Sequence, residues 1–353
     1  MNRRSARDSQ GQNKKDAPPS KIVKSALTVD RGPERVIAEL YDRINGFFSL
    51  NELACLCNLS RPALDKALLE LHRKGHNIET SPAYGVRLCR PAAIDAFLIE
   101  RNLGTRRIGK CAICFGEVDS TNDVAASAAS QHNADGLVVL AEHQRKGRGR
   151  RGNGWISPKG ENILMSVLLL EGRSGLGHEL TTIAAGLAVA QGIDDVVSAP
   201  TSLKWPNDVL LDDRKLAGVL VEKRPIKSAW SVVIGVGINV TAAPPDNSIA
   251  RPATSLAEHT GGPVERIEIV RAVLCRLDGW LERLKTDPSA ACRAIHDEWV
   301  DRCGMINRRH TVLSGGVSYT GRVVDVSPME GLVLCLDDNR RAHLPAEIST
   351  IVD

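Results

Sequence analysis

The motif GRGRRG at residues 147–152 combines two residue types that bind anions. Three arginines this close together repel one another, so an anion seated among them would offset their charge. The glycines allow backbone amides to approach a phosphate closely. The spacing therefore predicts a loop that is mobile when empty and becomes ordered around a phosphate or carboxylate ligand. A solvated basic turn is the alternative.

The same six residues also satisfy the G-x-G-x-x-G pattern of dinucleotide-binding folds, with Glu171 about twenty residues further on, where a ribose-binding acid would stand. That pattern must open a helix, whereas residues 153–160 contain two glycines and a proline and cannot form the crossover of a βαβ unit. The sequence contains no G-x-x-x-x-G-K-[ST] motif, which excludes a P-loop nucleotide site.

A second source of positive charge is Lys204, the first residue of KWPND at 204–208. The Trp-Pro pair beside it suggests an amine that packing holds in place. KLAG at 215–218 and GVGIN at 235–239 follow on later strand-like segments. GVGIN alone would be a weak signal.

The elements that must position these groups alternate between strand and helix. Residues 108–118, 136–142, 162–171 and 231–240 are predicted strands, and residues 180–197 and 267–284 are predicted helices, the latter from an apolar stripe at helical spacing. This alternation predicts an α/β sheet domain after a linker at 91–105. Cys111 and Cys114 would point to opposite faces of the first strand, which argues against a metal or redox pair.

Residues 33–90 contain three short amphipathic segments and a hairpin at 78–88, typical of a winged helix-turn-helix. Ser49 and Glu52 fit a capping box for the second helix. The segment has eight basic and seven acidic side chains, so its charge supports DNA binding only weakly, and a packing domain is the alternative. The candidate DNA contacts on the third helix are Ser60, which is also its predicted N-cap, Arg61 and Lys66.

The remaining features concern the chain as a whole. Residues 1–32 carry eight Lys and Arg against three Asp, and we expect a disordered basic tail, with a DNA-tracking arm as the alternative. None of the apolar runs reaches the ~18 residues of a membrane span. Nine cysteines in 353 residues do not form the pattern of a disulfide framework and suit a reducing, cytoplasmic location. Residues 304–353 contain short strand-like pieces separated by turn signals.

Taken in order, these motifs resemble the biotin protein ligases, specifically the bacterial type that carries an N-terminal DNA-binding domain and represses biotin synthesis genes. The resemblance covers residues 33–353 and depends on STN at 120–122, Gln144, GRGRRG, Trp155, KWPND, KLAG and GVGIN. It implies an α/β multidomain protein: a winged helix-turn-helix at 33–90, a class II aminoacyl-tRNA-synthetase/biotin-ligase-like catalytic domain with a mixed sheet at 105–303, and an SH3-like β-barrel at 304–353.

The resemblance also implies roles for individual residues. The catalytic groups would be Lys204, Arg148 and Arg150. The biotin-binding set would be Ser120, Thr121, Asn122, Gln144, Arg148, Gly149, Arg150 and Lys204. The ATP- and adenylate-binding set would be Gly147, Arg148, Arg150, Arg151, Trp155, Lys204, Asn207, Lys215 and Asn239. Relatives often have an arginine after E-I-S, whereas here Thr350 follows Ser349, which puts a C-terminal contribution to ATP binding in doubt.

The implied reaction joins biotin to AMP with release of pyrophosphate, and then transfers biotin to one lysine of the biotin carboxyl carrier protein of acetyl-CoA carboxylase. Biotin and ATP would be substrates, with Mg²⁺ on the phosphates and no metal site fixed in the protein. Operator DNA is the second expected partner, and cooperation between two weakly basic winged helices would require a homodimer. Two alternatives are a biotin-sensing regulator with an idle catalytic domain and a lipoate ligase of the same fold.

Overall fold

The first described part of the chain is three helices followed by a hairpin. The computed structural model describes residues 31–130, 134–172, 175, 177–226, 229–244 and 252–352, so the predicted tail lies outside the described residues as far as residue 30. The elements are α1 Gly32–Asp42, α2 Leu50–Leu56, α3 Arg61–Arg73, and the antiparallel strands β1 Ile78–Ser81 and β2 Gly85–Leu88.

The starts of α2 and α3 differ in detail from their predicted caps. Ser49 accepts a hydrogen bond from the Glu52 amide at 3.1 Å, as a capping box requires. The Glu52 carboxylate instead pairs with Arg43 at 3.0 Å, so this box is only half formed. Ser60 occupies the N-cap position of α3, but its side chain makes no capping bond. The first turn of α3 contains Pro62, whose fixed φ suits a helix start.

A seven-stranded mixed sheet forms the centre of the molecule. Its order is β3-β4-β5-β9-β8-β7-β6, and β3 with β4 is the parallel pair while the other neighbours run antiparallel. The strands are β3 Ala112–Phe115, β4 Val138–Ala141, β5 Ile163–Glu171, β6 Ser202–Lys204, β7 Asp208–Leu211, β8 Arg214–Ile226 and β9 Ala229–Ile238. The predicted mixed sheet is therefore confirmed.

Helices cover both faces of this sheet. Alternate residues of β4 point to opposite sides, so Val139 packs with Ala125 on one face and Val138 joins the larger core on the other. The helices are α4 Ala96–Glu100, α5 Thr121–Ala128, α6 His178–Val197, α7 Leu256–Thr260, α8 Arg266–Thr286 and α9 Pro288–Arg302. Of these, α5 packs on the first face, and α6, α8 and α9 contribute to the larger core.

The first strand is much shorter than its predicted span of residues 108–118. Gly109 has a positive φ of 75°, which interrupts an extended strand. The amides just before it do not pair with a neighbouring strand, because Asp278 on α8 accepts hydrogen bonds from Arg106 at 2.6 Å, Arg107 at 2.9 Å and Ile108 at 3.0 Å. Tertiary packing therefore overrides the local β-propensity at this end of the sheet.

Helix α6 is long and apolar enough to cross a membrane by length and composition, with a mean hydropathy of 1.3, although the sequence predicted no apolar segment of that length. Its most apolar window is 78% buried inside the fold. Leu187 and Ala188 have no exposed surface, and Gly192 lies so close to α8 that an added Cβ would stand 2.7 Å from the Val273 amide nitrogen. This helix is apolar all round because protein surrounds it.

The predicted linker at 91–105 is not an open connection, because it contains α4 and is fastened to the central body. The Ala92 amide donates to Glu265 at 3.1 Å, and the Ile94 amide donates to Glu142 at 3.2 Å. Glu142 also pairs with Arg266 at 2.6 Å. Buried and half-buried polar contacts therefore hold residues 91–105 against the central body, just before the chain enters the sheet.

The last five strands form a separate antiparallel sheet in the order β13-β12-β11-β10-β14. They are β10 Arg309–Ser314, β11 Val317–Ser327, β12 Gly331–Leu336, β13 Arg341–Leu344 and β14 Ser349–Ile351. Gly315 and Gly316 make the first turn with positive φ, as their spacing predicts. The Ala346 amide donates to Glu179 in the first turn of α6 at 2.8 Å, which fixes the end of this sheet against the central body.

Candidate active site

A cavity of about 540 Å³ lies where the glycine–arginine loop, defined as residues 147–152, faces β8, β9 and the C-terminal strand β14. Most of the residues with implied roles line it. They are Ser120, Thr121, Asn122, Gln144, Arg148, Gly149, Arg150, Arg151, Trp155, Asn207, Lys215 and Asn239. Its volume is in the range of small-molecule and cofactor sites.

One end of the cavity is a buried network of neutral polar groups. Gln144 accepts hydrogen bonds at its Oε1 from the Thr121 amide at 2.7 Å and the Thr121 hydroxyl at 3.0 Å. Ser166 Oγ lies 2.6 Å from Asn122 Oδ1 and 2.7 Å from Thr121 Oγ1. Such a network holds the side chains in fixed orientations, as recognition of a small polar ring requires.

Sequence reasoning missed Ser166, which has no exposed surface. The available signal was a lone hydroxyl in the apolar run that became β5. Gly235 in GVGIN has a related role, because a Cβ there would stand 2.4 Å from Asn122 Oδ1. The glycine is therefore needed for the close approach of β9 to the start of α5.

The glycine–arginine loop closes on itself through backbone hydrogen bonds. The Trp155 amide donates to the Gly147 carbonyl at 2.9 Å, and the Gly149 amide donates to the Asn153 carbonyl at 2.7 Å. The Gly149 amide is thus already occupied, unlike the free phosphate donor that the motif predicts. Gly147 does not appear in the cavity wall as described; a Cβ there would stand 2.5 Å from the Trp155 carbonyl. Arg151 adopts a left-handed φ of 57°.

Arg148 is engaged by two carboxylates from distant elements. Its guanidinium donates to both oxygens of Asp123 at 2.8 Å, and to Glu222 at 2.9 and 3.2 Å. The hydrogen bond from Arg148 is the main cause that lowers the pKa of Asp123. Burial acts to raise the pKa of Glu222, but hydrogen bonds from Arg148 and Asn122 outweigh it and hold that pKa below its usual value. The protein itself therefore supplies much of the negative charge that the loop was predicted to obtain from a ligand.

Arg150 points towards the C-terminal sheet. Its guanidinium donates to the carbonyl oxygens of Ala346 and, at 3.4 Å, of Ser349, and Thr350 and Ile351 line the cavity. Burial, and then the nearby charge of Arg151, lower the pKa of Arg150. The absence of an arginine after E-I-S therefore does not remove the C-terminal segment from the cavity, because its backbone forms part of the wall.

The structure brings the amine of Lys215 to the cavity wall, and the prediction that Lys204 acts at the reacting centre stays a prediction. Lys204 is not part of the cavity wall in the described residues, whereas Lys215 is. Lys204 ends β6, the outermost strand, two positions from β8 in the sheet. Lys215 lies on β8 itself, with its Nζ 2.7 Å from Asp208 and 5.6 Å from the Trp155 ring centroid.

The other end of the cavity has an aromatic wall with two unsatisfied polar atoms. Trp155 lies against the strand glycines, since a Cβ on Gly237 would stand 2.4 Å from its indole. Within the described part of the chain, Trp155 Nε1 and Asn239 Oδ1 are buried without a hydrogen-bond partner. Asn239 Nδ2 donates to the Thr254 carbonyl at 3.1 Å, which fixes the amide with its oxygen free to accept. Buried polar atoms of this kind are satisfied by a ligand or by water.

The remaining predicted residues either support the cavity wall or lie outside it. Asn207 lines the cavity but its amide donates to the Val219 carbonyl at 2.7 Å, which makes it a support for the strand. Among the candidate DNA residues, Ser60 and Arg61 lie at the start of α3 and Lys66 lies near its middle, and Arg61 pairs with Asp65 at 3.1 Å. Cys111 is exposed, and burial raises the pKa of Cys114. Among the residues described, no cluster of three or more His, Cys, Asp or Glu could hold a metal ion.

Comparison with known proteins identifies the family. The chain is 31% identical over 306 residues to the bifunctional ligase/repressor BirA of Bacillus subtilis, an alignment that covers 84% of this chain and 92% of that protein. The chain belongs to the biotin protein ligase family. The biotin/lipoate A/B protein ligase family matches residues 115–239, which contain every motif around the cavity from STN to GVGIN.

Two further relatives agree with this biotin protein ligase assignment. The biotin–[acetyl-CoA-carboxylase] ligase of Mycobacterium tuberculosis is 39% identical over 229 residues, covering 63% of this chain and 81% of that protein. The structure of the Aquifex aeolicus biotin protein ligase in complex with biotin and ATP superposes with a TM-score of 0.59 at 26% identity, covering 69% of this chain and 98% of that chain. The predicted enzyme class is therefore confirmed.

Proposed function

We propose that this biotin protein ligase activates biotin with ATP to biotinyl-5'-AMP and pyrophosphate, and then transfers biotin to a lysine of a biotin carboxyl carrier protein. The observation that carries the proposal is one cavity with three kinds of wall. A neutral polar network occupies one end, cationic side chains stand beside it, and an aromatic wall with unsatisfied polar atoms closes the other end. Such a cavity suits a polar ring, an acyl–phosphate junction and a nucleobase in that order.

In the first step, an oxygen of the biotin carboxylate attacks the α-phosphorus of ATP, and the bond to pyrophosphate breaks. Both reactants are anionic, so cations must offset their repulsion and the charge of the departing pyrophosphate. Two amines are candidates for the junction: Lys204, which the resemblance assigns there, and Lys215 on the cavity wall, whose Nζ has two N–H donors left after Asp208 takes one. Arg148, Arg150 and Arg151 of the glycine–arginine loop line the same cavity.

The two ends of the cavity would hold the substrates in line. We assign the ureido ring of biotin to the network of Ser120, Thr121, Asn122 and Gln144, now with Ser166 as its support. Adenine would pack against Trp155, and Asn239 Oδ1 would accept a hydrogen bond from its exocyclic amine. Holding both reactants in one geometry is worth about 7–11 kcal/mol at best. Mg²⁺ would arrive with ATP, bound to its phosphates.

In the second step, the neutral ε-amine of the carrier lysine attacks the carbonyl carbon of the mixed anhydride. The carbonyl–oxygen bond to phosphate breaks, AMP leaves, and the amine loses a proton as the amide forms. No covalent enzyme intermediate is required. The nine cysteines are free in the structure, which fits a cytoplasmic enzyme that does not use them for chemistry.

We further propose that residues 33–90 are a winged helix-turn-helix that binds operator DNA as a biotin-responsive repressor, that residues 105–303 are the catalytic domain, and that residues 304–353 are an SH3-like barrel. Three helices followed by an antiparallel hairpin support the first assignment. The names of the Bacillus and Escherichia relatives, bifunctional ligase/repressors, support the role. A homodimer would provide the paired contacts that a weakly basic module needs.

Pyrophosphate exchange into ATP tests the proposed chemistry. Exchange that requires biotin and is not supported by lipoate is the expected result. Exchange with lipoate would indicate a lipoate ligase, and tight biotin binding without any exchange would indicate a regulator with an idle catalytic domain. Either result would overturn the proposal.

A further inference from the structure

Helix α3 of the N-terminal module, residues 33–90, has a leucine at the centre of its outward face. The buried residues of this helix are Leu64, Ala67 and Leu71. Successive residues of an α-helix are rotated by about 100°, so Leu69 lies on the side opposite to this buried stripe. Leu69 is 50% exposed. Single exposed leucines are common on protein surfaces, so it is the position of this one that carries information.

Two cations lie on the same face of α3, one on each side of this leucine. Lys66 precedes Leu69 by three positions and Arg73 follows it by four, and both are exposed. Residues three or four positions apart are neighbours on a helix surface. These three residues, called the outer row below, therefore present an apolar centre between two positive charges.

The acidic side chains of α3 lie at the sides of the outer row. Arg61 pairs with Asp65 at 3.1 Å on one side, and Lys74 pairs with Glu70 at 3.2 Å on the other. Residues 61–74 contain four Lys and Arg and two Asp and Glu, which gives this segment a formal net charge of +2. Because each acid has a basic partner on its own helix, neither of them offsets the positive charge of the outer row.

The surface that complements the outer row is the major groove of DNA. This groove is about 12 Å wide and admits an α-helix. Among the groups that the base edges present there, the C5 methyl of thymine is the apolar one. Phosphates lie along the two backbones and attract Lys and Arg side chains. An apolar side chain between two cations therefore matches a thymine methyl between phosphates.

We propose that Leu69 is a specificity-determining residue that contacts the methyl group of a thymine in the major groove, while Lys66 and Arg73 contact the neighbouring phosphates. The inference rests on the proposed function, because residues 33–90 must bind DNA for it to hold. It adds to the candidate contacts a residue that distinguishes thymine from the other bases. A homodimer would make the same contact once in each half-site.

Replacement of thymine by deoxyuridine, which lacks only the methyl group, tests this contact. Duplexes are enriched from a random-sequence library by the full chain with biotin and ATP, and each thymine of the enriched duplex is then replaced singly. At one position the replacement should weaken wild-type binding about fourfold, the factor expected from burial of one methyl group. In Leu69→Ala the same replacement should change affinity less than about twofold, because the contact is already lost.

Two further variants separate the roles of the outer row. Leu56→Ala is the matched control, because Leu56 is 51% exposed in the same module but lies on α2. It should keep the wild-type difference between thymine and deoxyuridine. Arg73→Ala should weaken binding to every duplex and reduce the slope of log affinity against log salt by about 0.9, as loss of one phosphate contact does.

Two measurements show that the variants are folded. The wild type and Leu69→Ala should bind the deoxyuridine duplex with affinities that agree within about twofold, which requires an intact N-terminal module. Biotin-dependent pyrophosphate exchange should be unchanged in Leu69→Ala, Leu56→Ala and Arg73→Ala, because none of these residues lines the cavity.

Other results would overturn the inference. If no thymine position showed a larger loss in the wild type than in Leu69→Ala, Leu69 would not contact a thymine methyl. A change in oligomeric state in Leu69→Ala without a change in this discrimination would identify the face as a protein interface instead. Failure of the proposed repressor role is distinguishable, because the wild type would then enrich no sequence from the library, and the inference would fall with that role.

Discussion

Replacing Lys215 by alanine tests which of the two candidate amines acts at the reacting centre. The Lys215 side chain is 33% exposed, and its Nζ lies 2.7 Å from Asp208 on the cavity wall. A charge-assisted hydrogen bond is worth about 1.5–3 kcal/mol. Two unit charges 4 Å apart near a protein surface interact by about 4 kcal/mol. Allowing for partial exposure, we expect a loss of about 3 kcal/mol in the transition state, or about 150-fold in kcat/KM.

Lys204→Ala provides the comparison, because Lys204 belongs to the neighbouring motif and is absent from the cavity wall as described. Initial rates of biotin-dependent pyrophosphate exchange, with thermal unfolding to check that both variants fold, should show a large defect for Lys215→Ala and at most a few-fold defect for Lys204→Ala. If a folded Lys204→Ala variant lost as much activity as Lys215→Ala, or if Lys215→Ala kept the wild-type rate, the reasoning from the cavity wall would be wrong.

Three further outcomes are expected. Arg150→Gly should let the adenylate escape, because the loop loses its contact with the Ala346 carbonyl, and labelling of bystander lysines with biotin should rise; unchanged retention of the intermediate would contradict this. Gly237→Ala should displace the Trp155 indole, 2.4 Å from the added Cβ, and raise the KM for ATP about tenfold or more with little change in the KM for biotin. Because the pKa of Asp123 is lowered, its ion pair stabilises the fold at pH values above the ordinary pKa of 3.8, and this stabilisation is lost as the pH falls through the lowered pKa. The melting temperature of Asp123→Asn should therefore differ from that of wild type at pH 6 and approach it in acid. A difference in melting temperature that does not change with pH would refute this reasoning.

The local pattern of apolar residues was sufficient to predict the strands and helices that surround the site. The apolar run at 162–171 became β5 and the run at 180–197 became most of α6, because both are buried along nearly their whole length. The prediction of a strand at 108–118 was wrong at its N-terminal end, because backbone amides there donate hydrogen bonds to Asp278, about 170 residues away in sequence. Contacts between residues so distant cannot be inferred from a single local window.

The site also combines features that local motifs predict with features that depend on contacts between distant residues. Motifs identified about two thirds of the lining residues, since each motif places its side chains within a few positions of the end of a strand or the start of a helix. They assigned the reacting amine to Lys204, and the place of Lys215 on the cavity wall became evident only from the fold. They also predicted that the loop arginines wait for an anion, since the carboxylate of Glu222 and the carbonyl of Ala346 are brought to them only by the folded chain.

The fastened junction between the N-terminal helices and the central sheet has a consequence for anyone wishing to shorten this enzyme. A fragment cut at residue 105 would discard the amides of Ala92 and Ile94 and remove donors from Glu265 and Glu142. Glu265 is 7% exposed, and burial already raises its pKa, so its carboxylate tolerates such a loss poorly. A shortened catalytic version should instead begin near residue 90, so that it keeps the hydrogen bonds from the amides of Ala92 and Ile94.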